Sequence, residues 1–227
     1  TSRSPDHDID GDPRPRGAAP DMGADETYPL ELYVSGSSGS DLTGTGTQGN
    51  PYATVGKGLQ EVGAGGSVYV AQGVYGERIT VTKSVDLLGG YQEGTWSRDI
   101  AAHRTTLDAQ GSGTVVLIYG AGVHATVDGF SVTGGEASLY GSGGGIAVFD
   151  NATASIRHNR IHANHAQNGG GGVVVWGAES GLSVVEANEI LNNVAEGEFP
   201  PPHLMANATL SPQQGPEPGG GLLVAGG

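Results

Sequence analysis

The chain has 227 residues, of which 42 are glycine and none is cysteine, and its 24 acidic and 10 basic residues give a formal net charge of −14. This charge disfavours broad attraction to nucleic acid or to anionic membranes, so we expect no nucleic-acid partner. No apolar run approaches the roughly 20 residues of a membrane helix, so membrane insertion is not expected either. The glycines lack a collagen period and indicate many tight turns between short strands.

The first stretch of the chain carries an acidic run, DHDIDG, at residues 6–11. Its spacing matches the start of a calcium loop, but the twelfth position is Gly17 instead of a bidentate glutamate, which excludes a helix-loop-helix hand. Two alternatives remain for these side chains, an acidic turn or a calcium ion held in another geometry by Asp6, Asp8, Asp10 and Asp12. No other cofactor is expected.

A short helix is predicted between residues 52 and 62. The apolar residues of this segment follow helical spacing and form one stripe: Tyr52, Val55, Leu59 and Val62. Glycines follow the segment, and then comes the first strong strand signal, Ser67 to Val70. We expect the helix to cover the first exposed strand edge of the structure that follows, since an open edge invites association.

Two motifs recur in the second half of the chain. Segments starting at Val127, Ile156 and Val185 repeat at a spacing of 29 residues, with Val132, Ile161 and Ile190 matching, as do Ala137, Ala166 and Ala195. Beside them recurs GGG[ILV], in runs ending at Phe149, Trp176 and Ala225. A unit this small cannot bury its own apolar face, so copies must stack. The economical solution is a parallel β-helix with one repeat per coil, about 4.8 Å from the next.

Stacking also explains the repeated asparagines and glycines. Asn159 is expected to lie over Asn188, and Asn164 over Asn193, so that their amides form ladders along the turns. The glycine triplets are expected at coil corners, where the backbone needs positive φ.

With these repeats the chain resembles a known family, secreted bacterial proteins with right-handed parallel β-helix repeats, similar in fold to pectate lyases. The residues that carry the resemblance are LYVSGSSGSDLTGTGTQGNPYATVGKGLQ, VYVAQGVYGERITVTKSVDLLGGY and the GGG[ILV] and NxA repeats. The resemblance implies an all-β fold, a right-handed parallel β-helix (solenoid) with a short N-terminal capping helix. It also implies an extracellular or cell-surface location.

The resemblance divides the chain as follows. Residues 1–29 look like the closing segment of an upstream β-helix module, or a linker. Residues 30–227 form the β-helix, with the N-terminal cap at 30–66 and coils at 67–227. Insertions interrupt the coils at 91–106 and 196–218, and long loops on a rigid scaffold are where binding usually resides. Because the chain stops within a repeat, we expect an internal piece of a longer protein, truncated at its C-terminal end.

Three histidines crowd the stretch SIRHNRIHANHA, residues 155–166. If this stretch contains a strand, His158 and His162 lie about 13 Å apart at ~3.3 Å per residue, too far to share a metal ion. The histidines also fail to recur in the neighbouring repeats. A solvated surface on a repeated scaffold is therefore favoured over a metal or catalytic site.

Three aromatic residues, Tyr119, Phe149 and Trp176, occupy matching positions in successive repeats. Strand alternation predicts that Phe149 and Trp176 point away from the core, because Ile146, Val148, Val173 and Val175 occupy the inward positions. Such a column could stack on sugar rings and is our candidate carbohydrate-binding site. The alternative is a corner stack covered by a neighbouring loop.

No catalytic set is recognisable in the sequence, so no catalytic residue is assigned. Asp86 and Asp128 occur where such repeats use aspartate to make a turn, and neither the paired aspartates of polygalacturonases nor the arginine motifs of pectate lyases are found. We expect a noncatalytic module for adhesion or carbohydrate binding, whose partner is a polysaccharide or cell-surface glycan. A polysaccharide lyase or glycoside hydrolase and a structural spacer are the alternatives.

Overall fold

Strands make up nearly all of the regular structure. The computed structural model describes residues 28–137, 143–176, 182–197, 208–210 and 222–225. In chain order its elements are β1 (Glu31–Val34), α1 (Val55–Glu61), β2 (Gly66–Ala71), β3 (Gly73–Tyr75), β4 (Ile79–Val81), β5 (Val85–Tyr91), β6 (Thr105–Asp108), β7 (Val116–Tyr119), β8 (His124–Asp128), β9 (Phe130–Thr133), β10 (Glu136–Ala137), β11 (Ile146–Phe149), β12 (Thr153–Arg157), β13 (Arg160–His162), β14 (His165–Asn168), β15 (Val173–Trp176), β16 (Ser183–Glu186), β17 (Glu189–Leu191), β18 (Val194–Gly197), β19 (Ala208–Leu210) and β20 (Leu222–Ala225).

These strands form four sheets with parallel pairing. Sheet I has the order β1-β2-β5-β8-β12-β16-β19, and sheet II the order β3-β6-β9-β13-β17. Sheet III has the order β4-β7-β11-β15-β20, and the small sheet IV the order β10-β14-β18. From β2 to β17 the chain visits sheets I, II and III in the same order again and again, with sheet IV added from β10 onward. We call one complete round of these sheets a pass. The prediction of an all-β fold with parallel strands is confirmed.

The repeat predicted from the sequence sets the register of the strands. Ile156 pairs with Val127 on one side and with Val185 on the other, at the spacing of 29 residues. Ile161 pairs in the same way with Val132 and Ile190. The GGG[ILV] motifs also align, since β11, β15 and β20 are neighbours in sheet III. Equivalent residues therefore lie directly above one another.

The core is a stack of inward-pointing aliphatic side chains. On sheet I the first six members of one register column are each at most 1% exposed: Leu32, Val68, Leu87, Val127, Ile156 and Val185. Each pass contributes one member, so burying a side chain requires the passes on both sides. This dependence explains why the short repeats fold only as a stack.

Helix α1 lies at the predicted position. All four residues of its apolar stripe are buried, and the side chain of Thr54 caps its first turn by accepting a hydrogen bond from Lys57 N at 3.1 Å. The Glu77 carboxylate accepts two more, from Val55 N at 2.7 Å and Gly56 N at 2.9 Å. A Cβ on Gly58 would come within 2.8 Å of Val34, so the helix packs closely on sheet I.

The glycine triplets have the expected role in part, since positive φ occurs at Gly143 and Gly170, the first glycines of the two described triplets. In the first triplet only Gly143 has positive φ, at 77°, whereas a Cβ on Gly144 would lie 2.3 Å from the carbonyl oxygen of His165. The middle glycine is needed because successive passes approach closely. At the corner between sheets I and II, positive φ belongs to Gly129, His158 and Ala187, at 87°, 53° and 52°.

The two predicted insertions differ in how much of them is described. Between β5 and β6 the chain makes one excursion, residues 92–104, within the predicted 91–106. Within the predicted insertion 196–218, strand β19 pairs with β16 in sheet I. Most of the other residues of this insertion lie outside the described residues. The acidic run with Asp6, Asp8, Asp10 and Asp12 also lies outside the described residues.

Candidate functional site

A groove of about 400 Å³ runs along the corner between sheets I and II. Its floor comes from three successive passes, through Gly129 to Ser131, His158 to Arg160, and Ala187 with Glu189. The 92–104 excursion forms one wall with Ile100, Ala101 and Arg104. The volume falls in the range of small-molecule sites, about 300–1000 Å³.

The wall of the groove is held firmly by side-chain hydrogen bonds. Arg98 reaches across to Asp128, with Nη2 2.8 Å from Oδ1, and its Nε donates to the carbonyl oxygen of Gly89 at 2.9 Å. Trp96 donates from Nε1 to the carbonyl oxygen of Gln48 at 3.1 Å and is buried. Asp99 Oδ1 accepts hydrogen bonds from two backbone amides inside the excursion. The groove is therefore preformed.

Buried asparagines fix the backbone of the floor. Asn159 Oδ1 accepts from the backbone N–H of Phe130 at 2.9 Å, and Asn159 Nδ2 donates to Val127 O at 2.8 Å and Asn188 Oδ1 at 3.0 Å. Asn164 and Asn193 form the second predicted ladder, with an Nδ2 to Oδ1 distance of 2.9 Å. Both ladders predicted from the sequence are confirmed. The Asn159–Asn188 ladder holds the corner between sheets I and II from the inside, beneath the groove, whereas the Asn164–Asn193 ladder lies at the next corner, between sheets II and IV.

The outward side chains of sheet II form a polar network on the floor. Arg160 Nε lies 2.8 Å from Glu189 Oε2, and Ser131 Oγ lies 3.0 Å from His162 Nε2. The pKa of His162 is lowered by burial and then by the positive charges of Arg160 and Arg104. His162 is therefore neutral at neutral pH, and two guanidinium charges act on the same small region.

The three histidines of residues 155–166 each have a different partner. His158 Nδ1 lies 3.2 Å from Asp128 Oδ1, His162 contacts Ser131, and His165 Nδ1 lies 2.5 Å from Glu136 Oε1. In the described part of the chain, no three metal-binding side chains lie together as an ion would require. His158 is exposed, as expected of a solvated surface, but it also lines the groove.

The aromatic column predicted on sheet III has the expected register. Phe149 pairs with Tyr119, and Trp176 follows the pair Val148 and Val175, which places it one pass beyond Phe149. Tyr119 is 40% exposed, whereas Phe149 and Trp176 are half-buried. Sugar binding by this column stays a prediction.

A second aromatic cluster lies on the outer face of sheet I and was not predicted. Tyr33 and Tyr69 stack with ring centroids 4.9 Å apart, Trp96 packs edge-on against Tyr33 at 4.8 Å, and Tyr91 packs edge-on against Tyr69 at 5.4 Å. The pairing of Tyr33 with Tyr69 follows from the register of β1 and β2. These strands precede the clear repeats, so the sequence offered no period from which to align them.

The groove residues were also missed as a site. His158 was expected on a solvated surface and Arg160 was not assigned to any site, while Arg104 lies in the insertion, at no repeat position. Its backbone oxygen accepts from Gly73 N at 3.0 Å, which fixes it at the start of β6. The nearest signal in the sequence was the insertion itself, a long loop on a rigid scaffold.

Comparison of the chain with protein-family models, with curated proteins and with solved structures finds no match. No helix among the described residues is long and apolar enough to cross a membrane. Assignment of function therefore depends on the geometry of the groove.

Proposed function

We propose that this chain is a noncatalytic carbohydrate-binding module, built as a right-handed parallel β-helix and displayed outside the cell or at its surface for adhesion. The repeated order of sheets I, II and III supports the β-helix, because each pass from β2 to β15 adds one parallel strand to each of these three sheets. The groove between the excursion and the floor of sheet II is the proposed glycan site.

The observation that carries the proposal is the groove's combination of a fixed wall with a polar floor. Ile100 and Ala101 provide apolar contacts suited to the C–H faces of a sugar, while Ser131, Arg160 and Glu189 provide hydrogen-bonding groups. Among the described lining residues Glu189 is the single carboxylate, and it is bonded to Arg160. Glycoside hydrolysis ordinarily uses two carboxylates, so this composition favours binding over cleavage.

The column of Tyr119, Phe149 and Trp176 is proposed as a second sugar contact, on sheet III. Calcium at Asp6, Asp8, Asp10 and Asp12 is a separate proposal, which binding measured with and without calcium would test. Neither is needed for the groove to bind a glycan.

The test is binding of the purified chain to an array of neutral and acidic polysaccharides, followed by assay of each hit for new reducing or unsaturated sugar ends. Ala101→Trp should fill the groove and abolish binding, while Ala102→Trp, an exposed neighbour that does not line the groove, should leave it intact. Trp176→Ala tests the aromatic column separately. Release of sugar ends would establish catalysis instead, and binding unaffected by Ala101→Trp would move the site away from the groove.

A further inference from the structure

The groove concentrates positive charge in a protein that is strongly acidic overall. Against a formal net charge of −14, Arg104 and Arg160 both line one groove. Glu189 is the one carboxylate among the described lining residues, so the two guanidinium groups leave the lining with an excess of positive charge, which favours anions at this place. The guanidinium groups therefore select for a ligand that carries negative charge.

Arg104 is available to a ligand. It is exposed, and its guanidinium forms no ion pair or hydrogen bond with any residue in the described ranges. The other described cations of the excursion and of helix α1 are engaged, Arg98 with Asp128 and Lys57 with Glu61. An arginine that is held at a groove wall with no carboxylate partner among the described residues is suited to binding an oxyanion, since its planar donors match carboxylate and sulfate.

Arg160 is paired, but with a partner that a ligand can replace. The side chains of Arg160 and Glu189 are 42% and 50% exposed, and ion pairs this exposed contribute little stability. Arg160 also lies in register with Ser131, whose hydroxyl lines the same floor. A ligand oxyanion that displaces Glu189 would meet Arg160 on one side and Arg104 on the other.

We propose that the groove recognises an oxyanion, a carboxylate or sulfate, on a sugar residue, with Arg104 and Arg160 as its guanidinium partners and Glu189 as the internal competitor. This inference rests on the proposed function, because it assumes that a glycan occupies the groove. It adds the chemical class of that glycan and the residues that select it. The two sources of the oxyanion, uronic acids and sulfated sugars, present the same chemistry to the arginines.

The experiment measures the affinity of the full chain for four probes: a uronate oligosaccharide, a sulfated oligosaccharide, a neutral oligosaccharide of the same length and inorganic sulfate. One of the two acidic oligosaccharides should bind at least about tenfold more tightly than the neutral one. Arg104→Gln and Arg160→Gln should each weaken that binding about tenfold, and added salt should weaken it further. Glu189→Gln should strengthen it, because Arg160 loses its competing partner.

Arg78→Gln is the matched control, since Arg78 is an exposed arginine that does not line the groove. Its affinity should equal that of the wild type, and circular dichroism should show every variant folded. Equal affinity for neutral and acidic oligosaccharides, unchanged by Arg104→Gln, would overturn the inference and leave the glycan site standing. No binding of any oligosaccharide would overturn the proposed function itself. Inorganic sulfate bound as tightly as the oligosaccharides would overturn the assignment of the anion to a sugar.

Discussion

Asn159 and Asn188, which are 29 residues apart in the chain, bond through their side-chain amides, with Asn159 Nδ2 donating to Asn188 Oδ1 at 3.0 Å. Both residues are buried, and their amides also satisfy backbone groups of the preceding pass. The ladder thus ties three passes together at the corner below the groove. Removing the ladder should therefore lower the stability of the whole stack.

Asn159→Ala should lower the free energy of unfolding by at least about 2 kcal/mol, because buried polar groups such as the N–H of Phe130 lose their partner. Urea unfolding followed by circular dichroism measures the change. Asn192→Gly is the control, since Asn192 is exposed and has a φ of 51°, which glycine adopts easily. Equal stability of the two variants would show that the ladder contributes nothing.

Thr54→Ala should destabilise the fold by about 1 kcal/mol, because it removes the cap that accepts from Lys57 N. Thr54→Ser keeps a hydroxyl at this position and should retain most of the stability. The midpoint of thermal unfolding reports the difference. If the serine variant were as unstable as the alanine variant, the contribution of Thr54 would lie in its methyl group instead of the cap.

Stability should fall as the pH rises through the pKa of His165. A hydrogen bond to Glu136 raises the pKa of His165 above its usual value, and Glu196 Oε1 also lies 3.2 Å from Nε2 of this ring. Since the folded state holds the proton more tightly than the unfolded state, this stabilisation is complete below the usual histidine pKa. It is lost as the pH rises through the raised pKa.

The measurement is the free energy of unfolding of wild type and His165→Gln between about pH 6 and about pH 9. The difference between the two proteins should shrink as the pH rises. His103→Gln serves as control, because the His103 ring contacts Gln72 and, within the described ranges, forms no ion pair with a carboxylate. A difference that stayed constant across the pH range would contradict the assigned role of His165.

Arg98→Ala should loosen the groove wall and cost about 1–3 kcal/mol, because Asp128 is only 8% exposed and would lose its guanidinium partner. We expect faster cleavage at Trp96 by a protease specific for aromatic residues, and weaker glycan binding. Arg78→Ala should change neither the rate of cleavage at Trp96 nor glycan binding. If Arg98→Ala resisted the protease as well as the wild type does, Trp96 would hold the excursion in place without the ion pair.

The stacking of the second half of the chain could be predicted from its sequence. The spacing of Val127, Ile156 and Val185 predicted their register, and Asn159 and Asn164 were matched correctly with the asparagines above them. Side chains at equivalent positions must meet when passes stack, so a period in the sequence becomes a contact in space. The glycine triplets were explained only in part. A glycine needed for close approach between backbones and a glycine needed for positive φ recur with the same period, so the sequence does not distinguish them.

The candidate site could not be predicted in the same way. Arg104 and Arg160 are brought to one groove by the docking of an excursion that belongs to no repeat. Its position depends on individual long-range contacts, Arg98 with Asp128 and Trp96 with Gln48. The sequence alone therefore determined the parallel stacked strands, their register and the asparagine ladders, because these follow from translational repetition. The tertiary structure decided where the charged groove lies, because non-repeating side chains meet only after the chain has folded back on itself.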